Sequence, residues 1–259
     1  MSKLSRSEYE DYWKRIHNST EDDLASVCFP GKPHYFNRFF DRVQKYSLEK
    51  YFKNVKISFE GKKLLDIGCG RGRWLSFYEK RYKAVVTGID LSRRAVETCR
   101  RKGFNAFRGS IIQLPFRDGC FDYINSITVL LHLPYVLKEN AIAEISRVVR
   151  PKGKAILIEG TWKDPAPHVY GLNILEWEKH FNKYGMKLVH KSGHCFNVFR
   201  IKLPAFTPLR DFVAIHLDYP LEYALMSYFY GKKSEMALQH LMVFEKDVSD
   251  ISMSKDIVT

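Results

Sequence analysis

The stretch Leu64-Leu65-Asp66-Ile67-Gly68-Cys69-Gly70-Arg71-Gly72, an apolar run that enters a glycine-rich turn, constrains this chain more than any other. A second apolar run, Thr87-Gly88-Ile89-Asp90, ends on an acid about 20 residues further on, the separation at which a strand, turn, helix and strand bring an acid beside the turn. Glycine has no Cβ, so backbone N–H groups of such a turn can approach a ligand closely. The Asp90 carboxylate can accept hydrogen bonds from both hydroxyls of a ribose. The pattern therefore predicts a nucleoside-binding turn, and its spacing narrows the ligand. A dinucleotide fingerprint, G-x-G-x-x-G, would put its third glycine at Arg73; here it is Gly72, and an acid, Asp66, precedes the first. A carboxylate repels a pyrophosphate and attracts the ammonium of an amino-acid tail. The turn suits S-adenosylmethionine better than NAD.

With these residues in view, the chain resembles the class I S-adenosylmethionine-dependent methyltransferases. Phe107-Arg108-Gly109-Ser110-Ile111-Ile112-Gln113-Leu114-Pro115-Phe116 and Phe121-Asp122-Tyr123-Ile124 are similar to that family's third and fourth strands with their loop. Val129-Leu130-Leu131-His132-Leu133 and the segment Glu144 to Gly153 are similar to the helix and turn that follow, so the likeness covers about residues 61 to 160. The resemblance implies S-adenosylmethionine as cofactor, held by Asp66, Gly68, Cys69, Gly70, Gly72, Asp90, Leu91, Ser110, Ile111 and Asn125. Many relatives carry an acid where Ser110 stands, so the adenine amino contact is expected to be lost, weaker, or made by a backbone carbonyl.

Alternation of elements predicts an α/β fold, a doubly wound, mostly parallel seven-stranded sheet of the Rossmann-like methyltransferase type. Strands are expected near 63–68, 84–90, 106–109, 121–126, 155–159, 187–191 and 239–245, and helices near 71–80, 93–102, 135–149 and 175–184. Ser92 reads as a helix N-cap and Gly103 as a helix stop. By family resemblance the seventh strand lies antiparallel beside the fifth. Residues 1–59 read as a helical N-terminal lid, and 60–259 as the methyltransferase domain with an aromatic-rich insertion at about 204–233. Tyr12, Trp13, Tyr35 and Phe36 of the lid, with Tyr170, are the expected acceptor pocket, since aromatic rings can cover a sulfonium or a flat acceptor. Plain packing between added helices and the sheet is the competing role for such rings.

No apolar run reaches the roughly 20 residues that cross a bilayer, and no signal-peptide core follows Met1-Ser2-Lys3-Leu4-Ser5-Arg6, so a cytoplasmic protein is expected. Five cysteines without C-x-x-C spacing argue against a disulfide framework and against a metal site. The net charge of +13 is concentrated between Arg71 and Lys102. Such a cluster is either a solvated basic face or a footprint for nucleic acid or an anionic membrane.

The expected function is methyl transfer to an O or N of a small or medium-sized acceptor: natural-product, sugar, peptide-derived or quinone-like. A hydroxyl acceptor profits from a general base and a neutral amine does not need one. His132 after the fourth strand and His168 after the fifth are the candidate catalytic residues, with His194 beyond the sixth a weaker one; packing is the alternative role for each. Asn125-Ser126-Ile127-Thr128 stands where amino-methylating enzymes carry Asn-Pro-Pro-Tyr or Asp-Pro-Pro-Tyr. An RNA methyltransferase using the basic surface, and a non-catalytic cofactor- or partner-binding module, are the two rival readings.

Overall fold

The computed structural model describes residues 6–19, 24, 34–161, 166–196, 217, 219–232, 234 and 237–248. Two helices come first, Arg6–Ser19 (α1) and His34–Val55 (α2), followed by strand Lys63–Ile67 (β1) and helix Arg73–Tyr82 (α3). Strand Val85–Asp90 (β2), helix Arg93–Arg101 (α4), and strands Asn105–Arg108 (β3) and Phe121–Ile127 (β4) continue the alternation. A short 3-10 turn, Leu130–His132, leads into helix Tyr135–Val148 (α5) and strand Val149–Gly160 (β5). Helix Ile174–Asn182 (α6), strand Met186–His194 (β6), helix Tyr219–Tyr228 (α7) and strand Gln239–Lys246 (β7) complete the described elements.

The sheet runs β3-β2-β1-β4-β5-β7-β6. Neighbours from β3 to β5 pair in parallel, and β7 is antiparallel to both β5 and β6, the arrangement that the resemblance implied. Residues 155–158 of β5 are fully buried, as a strand covered on both faces must be, which explains their uninterrupted apolar run. Helix α4 shows how local chemistry sets an element: the Ser92 side chain accepts from the Ala95 N–H, Ala95, Val96 and Cys99 face inward, and Gly103 at φ 88° ends the run. At α6 the signal is Asn173 with Glu176, a reciprocal capping box ahead of an apolar run.

Helix α2 belongs to the core. Leu48, Tyr51 and Phe52 pack with Leu64 and Ile156 of the sheet, while Phe40 and Val43 join Cys195, Phe196 and Met226. Each such burial stabilises by about 1.5–3 kcal/mol. The basic cluster divides in two. Lys80, Arg81, Lys83, Arg93, Arg100, Arg101 and Lys102 are exposed, as a solvated face and a footprint for an anionic partner both require. Arg71 and Arg73 depart from it because α2 overlies the start of α3: Arg71 is buried, and Arg73 donates to Asp41 Oδ1 at 3.2 Å and Gln44 Oε1 at 3.0 Å. Among the described residues no helix is long and apolar enough to cross a membrane. Cys69, Cys99, Cys120 and Cys195 are free thiols, and Cys28 lies outside the described residues.

Candidate active site

Where β1 ends, Gly68, Gly70 and Gly72 take φ values of 65°, 51° and 88°, conformations that favour glycine. Gly68 is also sterically closed, since a Cβ there would lie 2.6 Å from Val129 Cγ2. The turn after β4 therefore rests directly on the glycine turn. Asp90, the last residue of β2, accepts the Gly70 N–H through Oδ2 at 2.9 Å and the Ser92 N–H through Oδ1 at 2.8 Å. It ties the glycine turn to the start of α4. A carboxylate oxygen can accept more than one hydrogen bond, so these contacts are compatible with ligand hydroxyls on the same group.

Asp66 sits one strand position before the end of β1 and is only 1% exposed. Its Oδ1 accepts from Asn125 Nδ2 at 2.7 Å, and Asn125 Oδ1 accepts from the Tyr78 hydroxyl at 3.0 Å. The register that sets Asp66 beside Asn125 makes this chain possible. Asp66 Oδ2 is buried with no hydrogen-bond partner among the described residues. Burial pushes the carboxyl up to about 7; the Asn125 bond and the Arg73 charge act against that, and Asp90 adds to it. Asn125 thus acts on the turn through Asp66. Cys69 is buried, and Cys99 Sγ contacts the Gly70 carbonyl at 3.2 Å.

Beyond Asp90, Leu91, Ile111 and Trp13 contribute to one apolar cluster that also contains Leu114 and Leu130. Ser110 pairs through its backbone with Gln113. At the other end of the site, residues distant in sequence meet. His132 and His168 stack with ring centroids 5.4 Å apart, Tyr12 stacks on His168 at 4.7 Å, and Trp13 meets His132 edge-on at 4.6 Å. His132 Nδ1 lies 2.9 Å from the His168 carbonyl, which can only accept, so Nδ1 carries the proton. Helix α1 packs against α4 as well, so it crosses the carboxyl end of the sheet. Tyr170 is buried behind this group, edge-on to Tyr135 at 5.6 Å, and donates its N–H to the Leu131 carbonyl.

The structure places His194 inside β6 rather than beyond it. It is fully buried, contacts Gln239 Oε1 through Nε2 at 3.2 Å, and burial pushes it down to about 3, so it packs instead of facing an acceptor. Tyr35 and Phe36 lie in the first turn of α2, but their side chains are outside the described residues, as is 204–216 of the aromatic insertion. Two features escaped the sequence reading. The Arg73, Asp41 and Gln44 contacts join α2 to the glycine turn, and Glu159 follows the apolar run 155–158 of β5 with a buried acid. An acid following an apolar run was the available signal for the second.

Comparison with known proteins bears on the domain and its fold. Residues 65–157 match the methyltransferase domain family. The chain is 28% identical over 166 residues to a fatty-acid O-methyltransferase of Mycolicibacterium smegmatis, covering 62% of this chain and 57% of that protein. It is 36% identical over 104 residues to the tRNA (carboxymethyluridine(34)-5-O)-methyltransferase ALKBH8 of Macaca fascicularis, covering 40% of this chain and 15% of that one. The chain thus spans little more than half of one relative and a small part of the other. Geranyl diphosphate C-methyltransferase from Streptomyces coelicolor A3(2) shares the fold at 15% identity, with a TM-score of 0.62 over 93% of this chain and 98% of that one. By its matched segment and its sheet topology, the chain carries a methyltransferase domain at residues 65–157 on a Rossmann-like methyltransferase fold.

Proposed function

We propose that this chain uses S-adenosylmethionine to methylate an O or N of a small or medium-sized acceptor. The observation that carries the reading is Asp66 Oδ2, a buried carboxylate oxygen beneath the glycine turn without a hydrogen-bond partner among the described residues. An ammonium group is the complement such an atom asks for. Around it, Asp90 would hold the ribose hydroxyls, the turn Gly68, Cys69, Gly70 and Gly72 would give the backbone close access, and Leu91, Ser110 and Ile111 would flank the adenine. The residues present fit the cofactor.

When bound, S-adenosylmethionine supplies an activated sulfonium methyl that a nucleophile attacks in line. The chain's task is then to orient the acceptor and exclude water. Tyr12, Trp13, His132, His168 and Tyr170 are the proposed acceptor wall. Burial raises the Tyr12 phenol, so it stays a neutral hydrogen-bond donor. With Nδ1–H given to the His168 carbonyl, Nε2 is the His132 nitrogen that would take a proton from an acceptor hydroxyl. Both sequence relatives named above are O-methyltransferases, which favours oxygen. In calorimetry, adenosylhomocysteine should bind and NAD should not; NAD binding alone overturns the reading. Labelled methyl transfer to a panel of carboxylic acids, phenols and amines then identifies the acceptor atom, and adenosylhomocysteine binding without any turnover favours the binding-module alternative.

An RNA acceptor is the second reading, favoured by a groove of about 640 Å³ lined by Arg38, Arg42, Lys45, Tyr46, Tyr219 and Tyr223 with Leu24, Asp41 and Glu49. Its two acids are taken up by ion pairs, Asp41 with Arg73 and Lys45, and Glu49 with Arg81. Cations among tyrosines suit a backbone with stacking bases. RNA binding that falls steeply with salt supports this reading, and no binding at low salt removes it.

A lid role is testable on α1 alone, because α2 carries core residues. Removing residues 1–19 should leave melting nearly unchanged, since only Trp13 of the removed described residues packs against the core cluster. The truncated chain should turn over more slowly and expose His132 and His168. If it methylates as fast as the full chain, α1 is not a lid.

A further inference from the structure

The carboxylate of Glu159, fully buried at the end of β5, gathers three consecutive backbone N–H groups. Val129 and Leu130 donate to Oε1 at 3.2 and 3.0 Å, and Leu131 donates to Oε2 at 3.1 Å. Only a carboxylate can accept all three, because a glutamine side chain would turn an NH2 toward one of them. The other side of the same turn is held by Lys138 of α5, itself 1% exposed, which donates to the Leu130 carbonyl and lies 5.1 Å from the Trp177 ring centroid. Burial pushes Glu159 up and Lys138 down, while their mutual attraction opposes both shifts.

The turn so fastened is under tension. Thr128, just before it, has φ 56°, a left-handed conformation that is an outlier for a β-branched residue and that persists only where surroundings fix it. Its two ends reach both halves of the site: Val129 rests on Gly68, and His132 lies between Trp13 and His168. A buried pair of ionisable groups is a costly way to stabilise a fold, since well-packed apolar residues do as well or better. Its retention here is explained by what it positions.

We propose that Glu159, with Lys138, is a positioning residue that fixes the His132 imidazole by fastening the 129–132 turn. This rests on the methyltransferase reading only for the use made of His132; the positioning itself is measured without cofactor. The experiment is nitrogen-15 NMR on the full chain with labelled histidine, together with amide hydrogen exchange. In the wild type, His132 should show the Nδ1–H tautomer, and the Val129, Leu130 and Leu131 amides should exchange slowly. In Glu159→Gln those amides should exchange at least about tenfold faster, and the His132 signal should become a tautomer mixture. Glu159→Asp should be intermediate in both readouts. A Glu159→Gln protein that keeps the wild-type His132 signal and slow amides overturns the proposal. If that variant does not fold, the wild type decides: an Nε2–H tautomer at His132, or fast exchange at the three amides, overturns it. Adenosylhomocysteine calorimetry on the wild type separately tests the cofactor reading, so the two failures are distinguishable.

Discussion

Asp90→Ala is expected to lower adenosylhomocysteine affinity by about 100-fold while the sheet stays folded. Hydrogen bonds to a charged group contribute roughly 1.5–3 kcal/mol, and a loss of that size for the ribose contacts taken together accounts for about 10- to 100-fold. The structure adds a second effect, because the same carboxylate accepts the Gly70 and Ser92 N–H groups. Without it the glycine turn loses its tie to α4, and the turn must be reordered each time ligand binds. That moves the expectation to the upper end of the range. Asp90→Asn keeps one acceptor oxygen and should lose only about tenfold. Calorimetry on the three proteins, with circular dichroism melts to confirm folding, gives the comparison. Equal affinity for wild type and Asp90→Ala would place the ribose carboxylate elsewhere.

The elements and the site differ in how much of each could be read from the sequence. Strands β1, β2, β4 and β5 are apolar runs between turn signals, and the Ser92 cap and Gly103 stop bound α4 to within a residue of expectation, so the parallel half of the sheet was legible. The place of β7 came from resemblance, since strand order leaves no trace in periodicity. Within the site, Asp66, Gly68, Gly70 and Asp90 were legible because their neighbours along the chain define the motif. His132 and His168 were legible as positions, but not as partners: their ring stack and the Tyr12 and Trp13 contacts join residues separated by up to 156 positions. Arg73 was misread because a charge in a basic run looks solvated until a distant helix covers it, and α2 supplies that cover through Asp41 and Gln44. Glu159 carries no local signal of its three N–H partners, which lie some 30 residues upstream. Side-chain convergence is a property of the folded chain.

Asp66→Asn should stabilise the protein and weaken cofactor binding at once, and both effects should depend on pH. Burial lifts the Asp66 carboxyl from an ordinary 3.8 to about 7. A group whose folded value lies above its unfolded value contributes stability that is fully present below the unfolded value and is lost as pH rises through the folded one. Wild type should therefore lose stability between about pH 4 and pH 7 through this residue, by about 2–4 kcal/mol. The asparagine keeps the shape and the Asn125 contact, carries no charge, and does not titrate. The variant should melt at about the wild-type temperature at pH 4 and several degrees higher at pH 8. Cofactor binding runs the other way. The charged form is the one that pairs with an ammonium, so wild-type affinity for adenosylhomocysteine should fall below about pH 7, by up to about tenfold per pH unit, with proton release on binding at pH 6. The variant's affinity should be about 10- to 100-fold lower at pH 8 and nearly flat below it. Melting curves and calorimetry from pH 4 to 8, the latter in two buffers of different ionisation enthalpy, read out both trends. A variant that melts below wild type at pH 8, or that binds as tightly there, would show that Asp66 supports the fold rather than receiving the ammonium.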